Sequence, residues 1–259
     1  MIKISDAFED RKAFIAFITV GDPDLASTER IVRAAVEGGA DMIELGIPFS
    51  DPTAEGPVIM EADLRALEAG TTTDRVFVLT KKLRDDGIQV PLVYMTYANV
   101  IYHYGTERFA EEAARAGVQG VILPDVPYEE KEEFDVPFKK HGIDLISMIA
   151  PTSEQRIAMI AREARGFLYL VSSLGVTGTR DAITTDIGAM ISLVRQASDI
   201  PCAVGFGIAS PAQAEAMARV SDGAIVGSAI MRLIAKYGKD AAEPVREYVK
   251  SMADAVHAL

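Results

Sequence analysis

Two carboxylates carry the acid–base potential of this 259-residue chain, Glu44 and Glu55. Glu44 interrupts a short apolar run, Met42 to Leu45. A carboxylate there is expensive to bury unless something pairs or uses it. The predicted strands hold almost no lysine or arginine, which favours a general acid/base over a structural ion pair. Glu55 lies in a Pro/Gly/Asp-rich loop, Gly46 to Pro57, that also carries Asp51. A loop carboxylate is as readily a solvated side chain as a second acid, and spacing alone leaves both open.

Three glycine-rich segments suggest where an anion would be held: Gly175-Val176-Thr177-Gly178, Gly205-Phe206-Gly207 and Gly227-Ser228. The last opens a helical run, AIMRLIAK, and backbone N–H groups at a helix start bind phosphate without a charged side chain. Each segment alone reads equally as a tight turn. Three of them after neighbouring strands favour a phosphate site.

Other chemistries find little support. His103, His141 and His257 fall in loops or near the C-terminus, and no metal-ligand spacing such as HxxxH or CxxC occurs, so no metal site is expected. No lysine falls within a predicted strand, which disfavours a Schiff-base aldolase. There is no dinucleotide fingerprint after the first strand and no P-loop. The one cysteine, Cys202, sits in an apolar run and reads as core.

These groups need a scaffold, and the chain supplies a regular one. An N-terminal helix is predicted over Ile2–Phe8. Strands are predicted at Ala13–Thr19, Asp41–Leu45, Val90–Met95, Gly120–Leu123, Asp144–Ile149, Phe167–Val171, Pro201–Val204 and Gly223–Val226. Between them run 3.6-period segments at Ser27–Glu37, from near Glu61, and at Thr73–Arg84, Thr106–Arg115, Tyr128–Lys140, Ser153–Ala164, Asp186–Ala197 and Pro211–Arg219. A helix over Ala241–Ala255 follows the last of them. Helix ends are punctuated by Gly38-Gly39, Gly117, Gly142 and Gly166, each followed by an apolar run. Eight strands apolar on both faces, alternating with helices, predict a parallel sheet closed into a (β/α)₈ TIM barrel, a single domain over 1–259. In that fold the chemistry sits at the C-terminal strand ends, where Glu44 and the glycine segments fall.

Composition narrows the partners. With 26 Lys+Arg against 38 Asp+Glu the net charge is −12, which argues against nonspecific nucleic-acid or anionic-membrane binding. A single cysteine allows no intrachain disulfide and fits a reducing, cytoplasmic setting. No run reads as a signal peptide or membrane span.

The motifs FITVGDPD, IELGIPFSDPTAEGPVI, MTYANVI, LPDVPYEE, YLVSSLGVTGTR, VGFGIASP and VGSAI together resemble the tryptophan synthase α-subunit family over essentially the whole chain. The resemblance implies retro-aldol cleavage of indole-3-glycerol phosphate to indole and glyceraldehyde 3-phosphate. It casts Glu44 as the strand-two acid/base, and Glu55 as the carboxylate that accepts the indole N–H where the family usually has aspartate. It places Phe17, Met95, Tyr97, Met148 and Tyr169 around the indole, Thr177 beside the strand-two acid, and Gly178, Gly207, Gly227 and Ser228 in the phosphate cradle. Met60, where many members have glutamine, reads as packing. The loops Pro48–Gly56 and Leu174–Arg180 resemble lids facing a β subunit that carries pyridoxal phosphate in an α2β2 assembly. The chain itself is then expected to need no cofactor. A stand-alone lyase and a non-catalytic regulator of a β subunit are the rival readings.

Overall fold

A computed structural model describes residues 2–151, 154–171, 186–205 and 207–259. Eight parallel strands pair in chain order and close on themselves: β1 (Ala13–Thr19), β2 (Met42–Gly46), β3 (Leu92–Met95), β4 (Gly120–Ile122), β5 (Asp144–Ile149), β6 (Leu168–Val171), β7 (Cys202–Gly205) and β8 (Gly223–Val226). The helices between and after them are α1 (Leu25–Glu37), α2 (Pro57–Glu68), α3 (Thr73–Asp85), α4 (Ala98–Tyr104), α5 (Thr106–Ala116), α6 (Glu132–Lys140), α7 (Glu154–Glu163), α8 (Ile187–Arg195), α9 (Pro211–Val220), α10 (Ser228–Tyr237) and α11 (Ala242–His257). The predicted (β/α)₈ barrel is therefore the fold.

Local chemistry starts and stops these elements where the sequence implies. The Asp24 carboxylate accepts the Ser27 N–H at 2.7 Å and starts α1. Ser210 and Gln213 form a capping box at α9, with Pro211 in its first turn. Gly117 ends α5 in the left-handed region, φ +85°, which an L side chain adopts only under strain.

Three predicted segments are reshaped and one helix is added. The N-terminal helix is a short 3₁₀ turn, Ile4–Phe8. The segment expected from near Glu61 begins at Pro57, because Gly56 is a suitable N-cap and proline suits the first turn. The predicted Tyr128–Lys140 helix divides into a 3₁₀ turn, Tyr128–Glu130, and α6. The extra helix α4 occupies part of the motif MTYANVI, whose few residues show too little periodicity to announce it.

The core fills the barrel and the layer between strands and helices. On one flank Phe77, Tyr94, Tyr104 and Phe109 meet largely edge to face, and the buried Tyr94 hydroxyl donates to Thr80 at 2.7 Å. At the N-terminal ends of the strands, Asp41 accepts from Arg11 (2.7 Å) and from the Phe14 N–H (2.7 Å), and pairs with His257 Nε2 (2.7 Å). That node ties α11 to the barrel floor and leaves the C-terminal strand ends for a site.

Candidate active site

Strand pairing sets the first constellation. Phe17 on β1 stands in register with Glu44 on β2, deep in the barrel. Glu44 is completely buried, and neither carboxylate oxygen has a hydrogen-bond partner among the described residues. Burial alone lifts its pKa from 4.5 to about 8. At neutral pH it is therefore mostly a neutral acid.

Glu55 closes the same cavity from the β2–α2 loop. It is buried too, and desolvation, reinforced by the negative charge of Asp125, raises its pKa to about 7. The backbone N–H groups of Ala54 and Glu55 act the other way, stabilising the charged form. The two carboxyls thus differ in proton affinity by environment, a pattern that separates acid from charge-bearing roles.

The cavity joining them is lined by Phe17, Glu44, Glu55, Met95, Tyr169, Gly207, Gly227 and Ser228, with Ile59, Ile208 and Ile225 completing the wall. Tyr169 is deeply buried, and the nearby charges of Glu44 and Glu55 add to desolvation in raising its pKa. Its ring lies where a Cβ at position 205 would stand: such an atom would fall 2.2 Å from the Tyr169 hydroxyl. Gly205 is glycine because the tyrosine occupies the space.

Gly227 is the N-cap of α10 and Ser228 its first residue, so the cap residue itself brings no side chain to the helix start. Both line the cavity together with Gly207, and a helix start beside a cavity is an arrangement suited to a phosphate.

Two further sequence candidates stand elsewhere. Tyr97 lies behind the β2–α2 loop: its hydroxyl accepts the Ala54 N–H at 3.0 Å and its ring packs on Phe49, centroids 5.3 Å apart. Met148 lines a separate cavity with Leu123, Pro124 and Ser147, and is not part of the wall around Glu44. Met60, expected to pack, is 40% exposed on α2. Thr177, Gly178 and the loop Leu174–Arg180 lie outside the described residues.

The structure also brings in a group that sequence reading left out. Asp63 on α2 is 5% exposed and faces Glu55. The signal was present, since Ile59, Ala62, Asp63 and Ala66 share the buried face of the helix, and a carboxylate at an apolar position of that period is a flag. Close by, Asp22, 1% exposed, is held by a two-pronged contact from Arg65, Nε and Nη2 each at 2.8 Å.

A closed parallel barrel with two buried acids and the glycine start of a helix lining one cavity is the architecture of a barrel enzyme. Comparisons with known proteins identify which kind. Residues 5–257 match the family described as tryptophan synthase alpha chain. The alpha chain of Lactiplantibacillus plantarum is 48% identical over 253 residues, covering 97% of this chain and 95% of that one. The alpha subunit structure from Legionella pneumophila superposes with a TM-score of 0.91 at 35% identity, covering both chains completely. The alpha chain match in the tryptophan synthase complex of Pyrococcus furiosus has a TM-score of 0.86 at 32% identity, covering 94% and 99% of the two chains.

The chain belongs to the tryptophan synthase alpha chain family. It is a lyase of tryptophan biosynthesis that cleaves indole-3-glycerol phosphate, and the alpha chain carries no cofactor, pyridoxal phosphate being held by the beta chain.

Proposed function

We propose that Glu44 and Glu55 divide the retro-aldol reaction between them. Glu44, neutral before substrate arrives, gives its proton to the indole ring carbon that bears the glycerol phosphate chain. The resulting carboxylate takes the proton from the neighbouring side-chain hydroxyl as the carbon–carbon bond breaks. Indole and glyceraldehyde 3-phosphate leave, and Glu44 ends as it began, protonated. Glu55 accepts the indole N–H and offsets the positive charge that develops on the ring when the carbon is protonated. Phe17, Met95 and Tyr169 hold the indole, and the N–H groups around Gly207, Gly227 and Ser228 hold the phosphate.

The observation that carries this reading is one cavity lined by two desolvated carboxyls and by the glycine start of α10. Substrate geometry fits, because an aromatic ring at the acids and a phosphate at the helix lie at opposite ends of a short linker.

The chain is read as one cytoplasmic domain that pairs with a β subunit in an α2β2 assembly and passes indole to it. The loop that carries Glu55 would face that partner. Steady-state indole release, with and without a family β chain, tests the whole reading for wild type, Glu44→Gln and Glu55→Ala. Loss of about 10²–10⁴-fold in kcat for Glu44→Gln is expected. Retention of kcat in that variant would sink the assignment, and a rate unaffected by any β chain would favour a stand-alone enzyme.

A further inference from the structure

The β2–α2 loop, Ile47 to Gly56, carries Glu55 next to its end and has no strand or helix of its own. Its two ends are fixed by the fold. The Ile47 N–H continues the sheet by donating to the Met95 carbonyl at 2.9 Å. At the other end Gly56 opens α2, and its carbonyl accepts the Ile59 and Met60 N–H groups, each at 3.1 Å. Between these points one side chain from another element meets both halves of the loop. The Tyr97 ring packs on the Phe49 ring in the first half, centroids 5.3 Å apart. The Tyr97 hydroxyl accepts the Ala54 N–H in the second half at 3.0 Å, one residue before Glu55.

Tyr97 is itself held to the barrel frame. Only 3% of it is exposed. Just before it, the Thr96 N–H donates to the Ile122 carbonyl at 3.2 Å, which carries the β3–β4 pairing past the end of β3. Just after it, the Ala98 N–H lies 3.1 Å from each carboxylate oxygen of Asp125, in the loop that follows β4. Tyr97 is also the N-cap of α4, and its carbonyl accepts the Val100 N–H at 3.1 Å. The side chain therefore reaches the loop from a backbone fixed on both sides. Packing alone does not call for its hydroxyl. Phenylalanine would fill the same space against Phe49, and a buried hydroxyl is costly unless it is hydrogen-bonded. The loop amide is the partner it meets.

We propose that Tyr97 is a positioning residue for the cleavage reaction: it clamps the acidic loop at Phe49 and at Ala54, so that the Glu55 carboxylate is held at the indole N–H. Tyr97 acts through Glu55, so this inference rests on the role given to Glu55 above. Glutamate reaches into the cavity through several side-chain torsions. Play in the backbone beneath it adds to play in the carboxylate, and misplacement by about 1 Å can cost on the order of 10²-fold in rate.

Two measurements on the full chain test the proposal. The first is amide hydrogen exchange. In Tyr97→Phe the Ala54 N–H should exchange about tenfold faster than in wild type, while the Leu45 and Ala62 amides of β2 and α2 keep their wild-type rates. The second is a double-mutant cycle on indole release, assayed with a family β chain. Tyr97→Phe should lower kcat about fivefold and change KM for indole-3-glycerol phosphate less than twofold. In a Glu55→Ala background the same substitution should cost less than about 1.5-fold, because the residue it positions is gone. An equal loss in both backgrounds would mean that the hydroxyl serves the substrate or the fold directly, and overturns the positioning role. An unchanged Ala54 exchange rate, or a Tyr97→Phe enzyme with wild-type kcat, overturns it as well. A Glu55→Ala enzyme with unchanged kcat overturns the reading of Glu55 instead, and that single variant tells the two failures apart.

Discussion

Replacing Glu44 by glutamine should abolish cleavage and stabilise the fold in the same step. The folded chain holds this carboxyl at a pKa of about 8, against 4.5 for a free glutamate, entirely through desolvation. Below pH 4.5 the group is protonated whether the chain is folded or not, and burial exacts no protonation cost. Between pH 4.5 and 8 the unfolded chain releases a proton that the folded chain keeps. The unfolded state then binds fewer protons, so stability falls as pH rises through this window. At pH 7 the difference is worth about 3 kcal/mol, and above pH 8 it levels off near about 5 kcal/mol, at 1.36 kcal/mol per pH unit. Glutamine is similar in shape, equally polar and never ionises, so it escapes that cost. Equilibrium unfolding in urea from pH 4.5 to 8.5 measures it: the two proteins should converge at the acid end and diverge steadily, the variant being the more stable. Parallel curves, or a variant less stable than wild type at pH 7, would refute the picture of an acid desolvated without compensation. Such an exchange of stability for function is a familiar feature of active sites.

Other outcomes follow from the same geometry. Glu55→Asp should lower kcat about tenfold, since the loop is set for the longer side chain and a displacement near 1 Å is costly; steady-state indole release measures it. Gly205→Ala places a methyl 2.2 Å from the Tyr169 hydroxyl, so the ring must leave the cavity; kcat/KM should fall at least tenfold while circular dichroism stays native. Arg65→Ala strands the buried Asp22 carboxylate and should destabilise the chain by roughly 3 kcal/mol in urea unfolding, because an unpaired buried charge is left behind. Tyr97→Phe removes the acceptor for the Ala54 N–H; KM should change little and kcat fall a few-fold, read from the same indole assay.

The barrel was legible because its signals are periodic and redundant. Each strand is a short apolar run, several of them after a glycine stop, and one misread boundary leaves the count of eight intact. Glu44 was legible for a different reason: a charge inside an apolar run is a local contradiction, visible without coordinates. Met148 shows the limit. A methionine on a barrel strand looks the same in sequence whether it borders the cavity of Glu44 or the neighbouring one. Helix α4 was hidden by its shortness, and the start of α2 by a Gly-Pro pair that reads as loop as readily as cap. Asp63 is hidden because its helix opens on a Gly-Pro pair that reads as loop, which masks the buried period it interrupts.

The seam of the barrel sets the order in which the protein can become active. β8 lies against β1, with Ala13 beside Gly223. A side-chain carbon at position 223 would approach the Ala13 carbonyl to 2.7 Å, so the join is backbone against backbone. Nearby, the Lys12 ammonium reaches the Ser221 carbonyl at 2.6 Å, 209 residues along the chain. During synthesis β1 waits with one edge bare until almost everything else has left the ribosome, and contacts of such long range form slowly. Gly227 and Ser228 arrive with the strand that shuts the ring. A nascent chain therefore holds both carboxyls long before the helix start that completes their cavity.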